Sequence, residues 1–172
     1  MTKYSALAEI LHQEHLTTVA TLSTLEERVF GPQKNKPIDT STSAGRAEVQ
    51  AVLDLIEHEI HQHFRFEEED LFPAVAERGY AELARLLEQE HDAIRTLAGS
   101  LKDAAVSALA EGFDQESWQA YREAGMDLIP SAMFHIQKEE TAVIERLTVF
   151  LPAETDRALA EKYSRSKQSS LG

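Results

Sequence analysis

"HFRFEEEDLFP", His63–Pro73, decides the fold of this chain. It sets a histidine and a glutamate four residues apart inside what otherwise reads as a helix, then stops on Leu-Phe-Pro. Followed outward in both directions, the apolar residues around it recur as Val49, Leu53, Ile56 and Ile60, then His63 and Glu67, then Leu71 and Ala74. Alternating steps of three and four are the signature of a helix face buried in a bundle. His63 and Glu67 therefore stand in slots that suit leucine.

The remaining sequence repeats this pattern. A first helix over about 2–29 carries the seam Tyr4, Ala8, Leu11, His15, Thr18, Leu22, Leu25, Val29. The helix containing the opening stretch spans about 46–78, with Pro73 expected to kink it and Gly79 to end it. A third, about 80–111, buries Leu83, Leu87, His91, Ile94, Ala98, Leu101 and Ala105, and stops at Gly112. A fourth, about 115–150, buries Trp118, Leu128, Ala132, His135, Glu139, Ala142 and Leu147, with Pro130 expected to bend or widen it. The segment 31–45, "GPQKNKPIDTSTSAG", reads as a surface loop. The expected fold is all-α: an antiparallel up-down four-helix bundle with a short C-terminal helix over about 154–163. Residues 1–163 form the expected domain, and 164–172, "SRSKQSSLG", a flexible tail.

Composition narrows the chemistry. At 172 residues with 42% hydrophobic and 27% charged content, the chain can bury one ordinary core. It has no cysteine, so thiolate metal sites and cysteine nucleophiles are excluded, and any metal must be held by His and carboxylate. A net charge of -13 opposes binding to nucleic acid or anionic lipid. The N-terminal "MTKYSALAEILHQEH" lacks the apolar run of a signal peptide, and no stretch has the roughly 18 apolar residues of a membrane span, which points to a cytoplasmic protein.

Every seam contains polar intrusions, and their heights agree. Glu67 lies about twelve residues before Gly79 and His91 about twelve after it, so at roughly 1.5 Å per residue they are level in an antiparallel hairpin. His91 and His135 are about 21 and 23 residues from Gly112, and His15 and His63 are about equally far from the middle of the first loop. His15, His63, Glu67, His91, His135 and Glu139 should thus share one layer. Two His-x-x-x-Glu pairs, "HFRFE" and "HIQKE", each set an imidazole and a carboxylate one turn apart on one face. Such pairs also arise by chance, so register and height carry the argument. Carboxylates buried among leucines cost several kcal/mol unless cations neutralise them. Imidazole and oxygen ligands without sulfur suit iron, with manganese and zinc as competitors. His12, His58 and His61 lie off the seams and read as surface, as do the acids after Glu67; Phe64, Phe66 and Phe72 read as packing around a dry site. Tyr4, Tyr80, Tyr121 and Trp118 lie at least about ten residues along the axis from the layer, roughly 15 Å, which argues against a tyrosyl radical.

Taken together, "QEH" on the first helix, "HFRFEEEDLFP" on the second, "EQEHDAI" on the third and "HIQKEE" on the fourth resemble the hemerythrin-like, HHE cation-binding family over about residues 5–150. The resemblance implies two iron ions, bridged by Glu67 and Glu139 and by a solvent-derived oxo or hydroxo group, with His15, His63, His91 and His135 as terminal ligands. Oxygen carriers of the family place a further histidine where Arg95 stands here, which leaves one iron with fewer ligands unless a residue such as Glu59 substitutes. Three functions stay open: binding or sensing a small diatomic ligand, dioxygen or nitric oxide; enzymatic turnover of peroxide, nitric oxide or dioxygen; and iron sensing or storage with a protein partner.

Overall fold

The computed structural model describes residues 4–169, which are helical almost throughout, with no strand among them. Four long rods carry the fold. Helix α1, Ala6–Phe30, starts at Ser5, whose hydroxyl accepts from the Ala8 amide, the usual N-cap arrangement. The second rod, α2, covers residues 43–78; helix α3 is Ala81–Glu111 and helix α4 is Gln115–Ala142. Asp114 and Ser117 form a reciprocal capping box at the start of α4. A 3-10 turn, Ile144–Arg146, leads to the short α5, Leu147–Phe150, so the fourth helix ends some eight residues earlier than its apolar pattern suggested. Helix α6, Ala153–Ser169, runs through the first six residues expected to form a loose tail; residues 170–172 lie outside the described residues.

The rod α2 is not a plain helix. It opens as Ser43–Leu55 and continues through π-helical Ile56–His63 and Glu67–Leu71, joined by the α-helical turns Phe64–Phe66 and Phe72–Val75. Pro73, whose missing N–H and bulky ring disfavour a regular ladder, lies between Glu67–Leu71 and a third π-helical stretch, Ala76–Tyr80. Helix α4, by contrast, stays α-helical through Pro130. The first loop is also tighter than expected: Ile38 and Thr40 are buried, the Thr40 hydroxyl donates to the Ala108 carbonyl at 3.0 Å, and the Trp118 indole N–H donates to the Lys34 carbonyl at 2.9 Å.

Rod α3 packs chiefly on α4 and α2, α1 packs on α4 and α2, and α6 lies along α1. Asp156 of α6 accepts from the Ser5 hydroxyl and from the Ala6 amide, so the last helix caps the first. The apolar interior falls into two clusters. One contains Leu22, Leu25, Ile56, Ile94, Leu101, Trp118, Tyr121 and Leu128, the other Leu7, Leu11, Leu71, Phe72, Leu87, Ile144 and Phe150. Along α1 the division falls between Leu11 and Leu22, where His15 and Thr18 are buried. No helix among the described residues is long and apolar enough to cross a membrane.

Gly112 closes α3 at φ 87° and ψ 177°, a backbone region nearly confined to glycine. A methyl group there would meet nothing closer than the Thr40 hydroxyl at 3.9 Å, so only backbone strain opposes it. Gly112→Ala is expected to lower unfolding stability by about 1–3 kcal/mol in denaturant titration, without loss of helix content.

Candidate metal centre

All six residues expected from the seams meet in one buried layer, and none is more than 1% exposed. They form two quartets, His15, His63, Glu67, Glu139 and Glu67, His91, His135, Glu139, within each of which four ligand-type atoms lie within 4.8 Å of one another. The two carboxylates belong to both. Glu67 turns one oxygen to His63 Nε2 at 3.0 Å and the other to His91 Nε2 at 3.4 Å. Glu139 Oε2 lies 3.4 Å from His15 Nε2 and 3.4 Å from His135 Nε2, and its Oε1 is 3.7 Å from His91 Nε2. His91 Nε2 and His135 Nε2 are 3.0 Å apart, close to the separation of two nitrogens about 2.1 Å from one ion at right angles.

Each imidazole presents Nε2 to the layer because its Nδ1 is held from outside. The Nδ1 of His63 faces Glu14 at 2.8 Å, that of His91 faces Glu68 at 2.8 Å, that of His135 faces Glu90 at 3.0 Å, and that of His15 faces Glu140 at 2.6 Å. With N–H on Nδ1, the lone pair sits on Nε2, the state that binds a cation. The four bonds run in a ring: Glu14 on α1 holds α2, Glu68 on α2 holds α3, Glu90 on α3 holds α4, and Glu140 on α4 holds α1. Each outer glutamate is the immediate chain neighbour of an inner-layer residue. Such a neighbour points roughly 100° away on the helix, which is why the seam pattern placed Glu68 on the surface and did not single out Glu14, Glu90 or Glu140.

Several expectations change. Arg95 reaches neither quartet; its guanidinium donates to Glu68 at 2.8 Å and lies over the Phe64 ring at 5.7 Å. Each quartet therefore offers the same set, two imidazoles and the shared carboxylates, so the deficit does not fall on one side. Glu59 belongs to neither quartet. It stands on the outer side of His63, 3.9 Å from Nδ1, and accepts from the Thr18 hydroxyl at 2.8 Å. His12 is half-buried rather than free, with Nδ1 2.9 Å from Glu140, whereas His58 and His61 are exposed. Tyr163, absent from the reckoning of tyrosines by height, folds back on α6 to bring its ring within 6.2 Å of His63, and its hydroxyl donates to Glu14 at 2.6 Å. Only the backfolding of α6 brings it there, which chain position does not announce.

The electrostatics show what the layer requires. Burial opposes charge on His15, but the carboxylate of Glu139 beside its Nε2 and that of Glu140 on its Nδ1 carry its pKa up to about 9. Burial likewise opposes charge on His63, where the carboxylates of Glu67 and Glu59 raise it to about 10, and on His91, where Glu139 and Glu67 raise it to about 9. Burial would lift Glu139, yet His135, His15 and His91 hold it well below the ordinary range. Glu67 is lowered too: burial and the charge of Glu139 oppose this, and His63 and His91 prevail. Without a cation, the layer recruits protons to balance its carboxylates. Metal ions supply the same positive charge and release those protons. His15 Nε2, His63 Nε2, Glu67 Oε2 and both oxygens of Glu139 are buried with no hydrogen-bond partner. Unmet donors and acceptors of this kind fit a cation-binding site.

The family model for the hemerythrin HHE cation-binding domain matches residues 6–147, and the chain belongs to that family. It is also 27% identical over 139 residues to a Haemophilus influenzae protein named as a probable iron-sulfur cluster repair protein. The match covers 79% of this chain and 58% of that protein, so the chain spans little more than half of the relative's length.

The outer ring gives a direct test. Glu140→Ala removes the acceptor of His15 and should weaken metal retention about 10–100-fold, read by competition with a chelator. His12→Ala, which leaves Glu140 on His15, should change retention far less.

Proposed function

We propose that the four rods form an antiparallel up-down bundle that holds two iron ions, one in each quartet, and binds a small diatomic ligand, dioxygen or nitric oxide, between them. The observation that carries this reading is the set of unpartnered buried atoms on His15, His63, Glu67 and Glu139, aimed at one another across the layer. His15, His63, His91 and His135 would be terminal ligands, and Glu67 and Glu139 the bridges. Manganese and zinc suit parts of this donor set; iron fits the mixture of imidazole and carboxylate best.

When bound, the iron pair supplies Lewis acidity and electrons to a small ligand. The protein's own part is positioning and the exclusion of water. Phe64 stacks on His91 with ring centroids 3.6 Å apart, and Phe72 stacks on the same ring at 5.4 Å. A cavity of about 10 Å³ lined by Thr18, Leu22, Ile60, Phe64, Ile94 and His135, among others, adjoins the layer. Space for about one water-sized molecule favours a diatomic ligand over any larger substrate.

The relative's name supports a second reading, in which the centre gives iron to a damaged iron-sulfur cluster. The two differ in the fate of the metal. Anaerobically reduced protein exposed to nitric oxide or air should keep its iron and change its absorption spectrum if it binds ligand. If it serves repair, iron should pass to an apo iron-sulfur protein.

Both readings require the site. Purified or anaerobically reconstituted protein should contain about two irons per chain, and His63→Ala or Glu67→Ala should contain fewer and unfold more easily. Full occupancy in both variants would remove the ligand assignment.

A further inference from the structure

A cavity of about 370 Å³ opens between α1 and α2, separate from the metal layer, and its wall includes Glu14, Thr18, Asp54, His58, Glu59 and Lys167. Three of these are acids, but acids on a surface are common and say little alone. Glu59 is different. It is only 6% exposed, one carboxylate oxygen accepts from Thr18, and the other is buried with no partner. A buried carboxylate oxygen left unsatisfied is costly, and a cation in the cavity relieves it. The other acids are less available. Glu14 is engaged by His63, Tyr163 and Lys167, and Asp54 accepts from Gln50 at 2.9 Å. His58 turns Nδ1 to the Asp54 carbonyl at 2.7 Å, so the ring nitrogen it can offer to a cation is Nε2.

Glu59 and Thr18 also line the small cavity beside His135, on the far side of the same pair. Together with Leu55 they are the residues that border both cavities. The layer itself is closed, because every ligand is at most 1% exposed and every Nδ1 is covered by a glutamate. Metal therefore needs a way through the packing, and the π-helical stretch Ile56–His63 that carries Glu59 is the least regular part of the wall.

We propose that the α1–α2 cavity is an uptake site for a divalent metal cation, held first by Glu59 with Asp54 and His58, and passed inward when the Thr18–Glu59 pair opens. This rests on the reading of the layer as a metal centre. The site collects cations by charge rather than by a complete ligand cage, so it raises the loading rate and adds nothing to the final occupancy. Lys167 lies at the same wall and is neutralised by Glu14, which leaves the local field to Glu59 and Asp54.

Metal-free protein mixed with Co²⁺ in a stopped-flow instrument, with the absorption of bound Co²⁺ as readout, tests this. Glu59→Gln keeps the side-chain shape and should slow loading about 10-fold or more, with unchanged final Co²⁺ content. Exposed Asp54→Asn should slow it less, and added salt should slow the wild-type protein more than Glu59→Gln. Equal rates for wild type and Glu59→Gln, or wild-type loading indifferent to salt, would overturn the proposal. A lower final Co²⁺ content in Glu59→Gln would also overturn it, by making Glu59 a ligand of the centre. Wild-type protein that loads no metal would refute the metal centre itself, before any variant is compared.

Discussion

Two carboxylates in the middle of the bundle, Glu67 and Glu139, constrain the rest of the structure. Each is 1% exposed, and two negative charges at that depth require positive charge beside them. The four imidazoles answer that demand from four helices. The outer glutamates then answer the imidazoles, and the ring from α1 to α2, α3, α4 and back to α1 fixes the rods at a common height. A slip of any rod by one turn would move a ligand about 5.4 Å and break two links, one to the preceding helix and one to the next. Register is set here more strictly than by leucine packing, which tolerates exchange of one apolar side chain for another.

The division of the apolar core follows from the same constraint. Leucine and isoleucine fill the bundle on either side of the layer, and Phe64 and Phe72 seal it against His91. Dry walls raise the cost of charge inside and so strengthen the preference for a bound cation. Helix α6 takes part from outside: its Asp156 caps α1, and its Tyr163 and Lys167 hold Glu14. A helix beyond the stretch matched by the family model thus reaches the acceptor of His63.

The inner layer was legible in the sequence because burial writes a period into each helix, and a His or Glu that keeps that period must be inside. Heights could be counted from Gly79 and Gly112, whose positive φ angles, 95° and 87°, end the rods as the glycines suggested. The outer ring was not legible. Glu14, Glu68, Glu90 and Glu140 fall off the seams, and only the neighbouring helix supplies their partners. The same limit applies to Tyr163, which depends on the direction of α6, and to the first loop, where Ile38 and Thr40 find cover on other elements. Arg95 could be placed in sequence but not in function, because its role lies in Glu68 rather than in the layer.

Although the two quartets have matching inner residues, the outer ring makes them unequal. Glu14 shares its charge with Lys167, Glu68 with Arg95, and Glu90 with Lys138. Among the described residues Glu140 has the imidazole of His12 besides His15 and no lysine or arginine. A carboxylate that already bears a fixed cation attracts an imidazole N–H less strongly, and so pushes less electron density onto Nε2. His15 is therefore the strongest donor of the four. His91 and His135, both supported by cation-bound acids, make the other quartet the weaker one. A pair of like ions placed here would differ in electron richness for reasons that lie one residue outside the ligands. That asymmetry gives a symmetric donor set two distinguishable ends, with the end at His135 beside the small cavity.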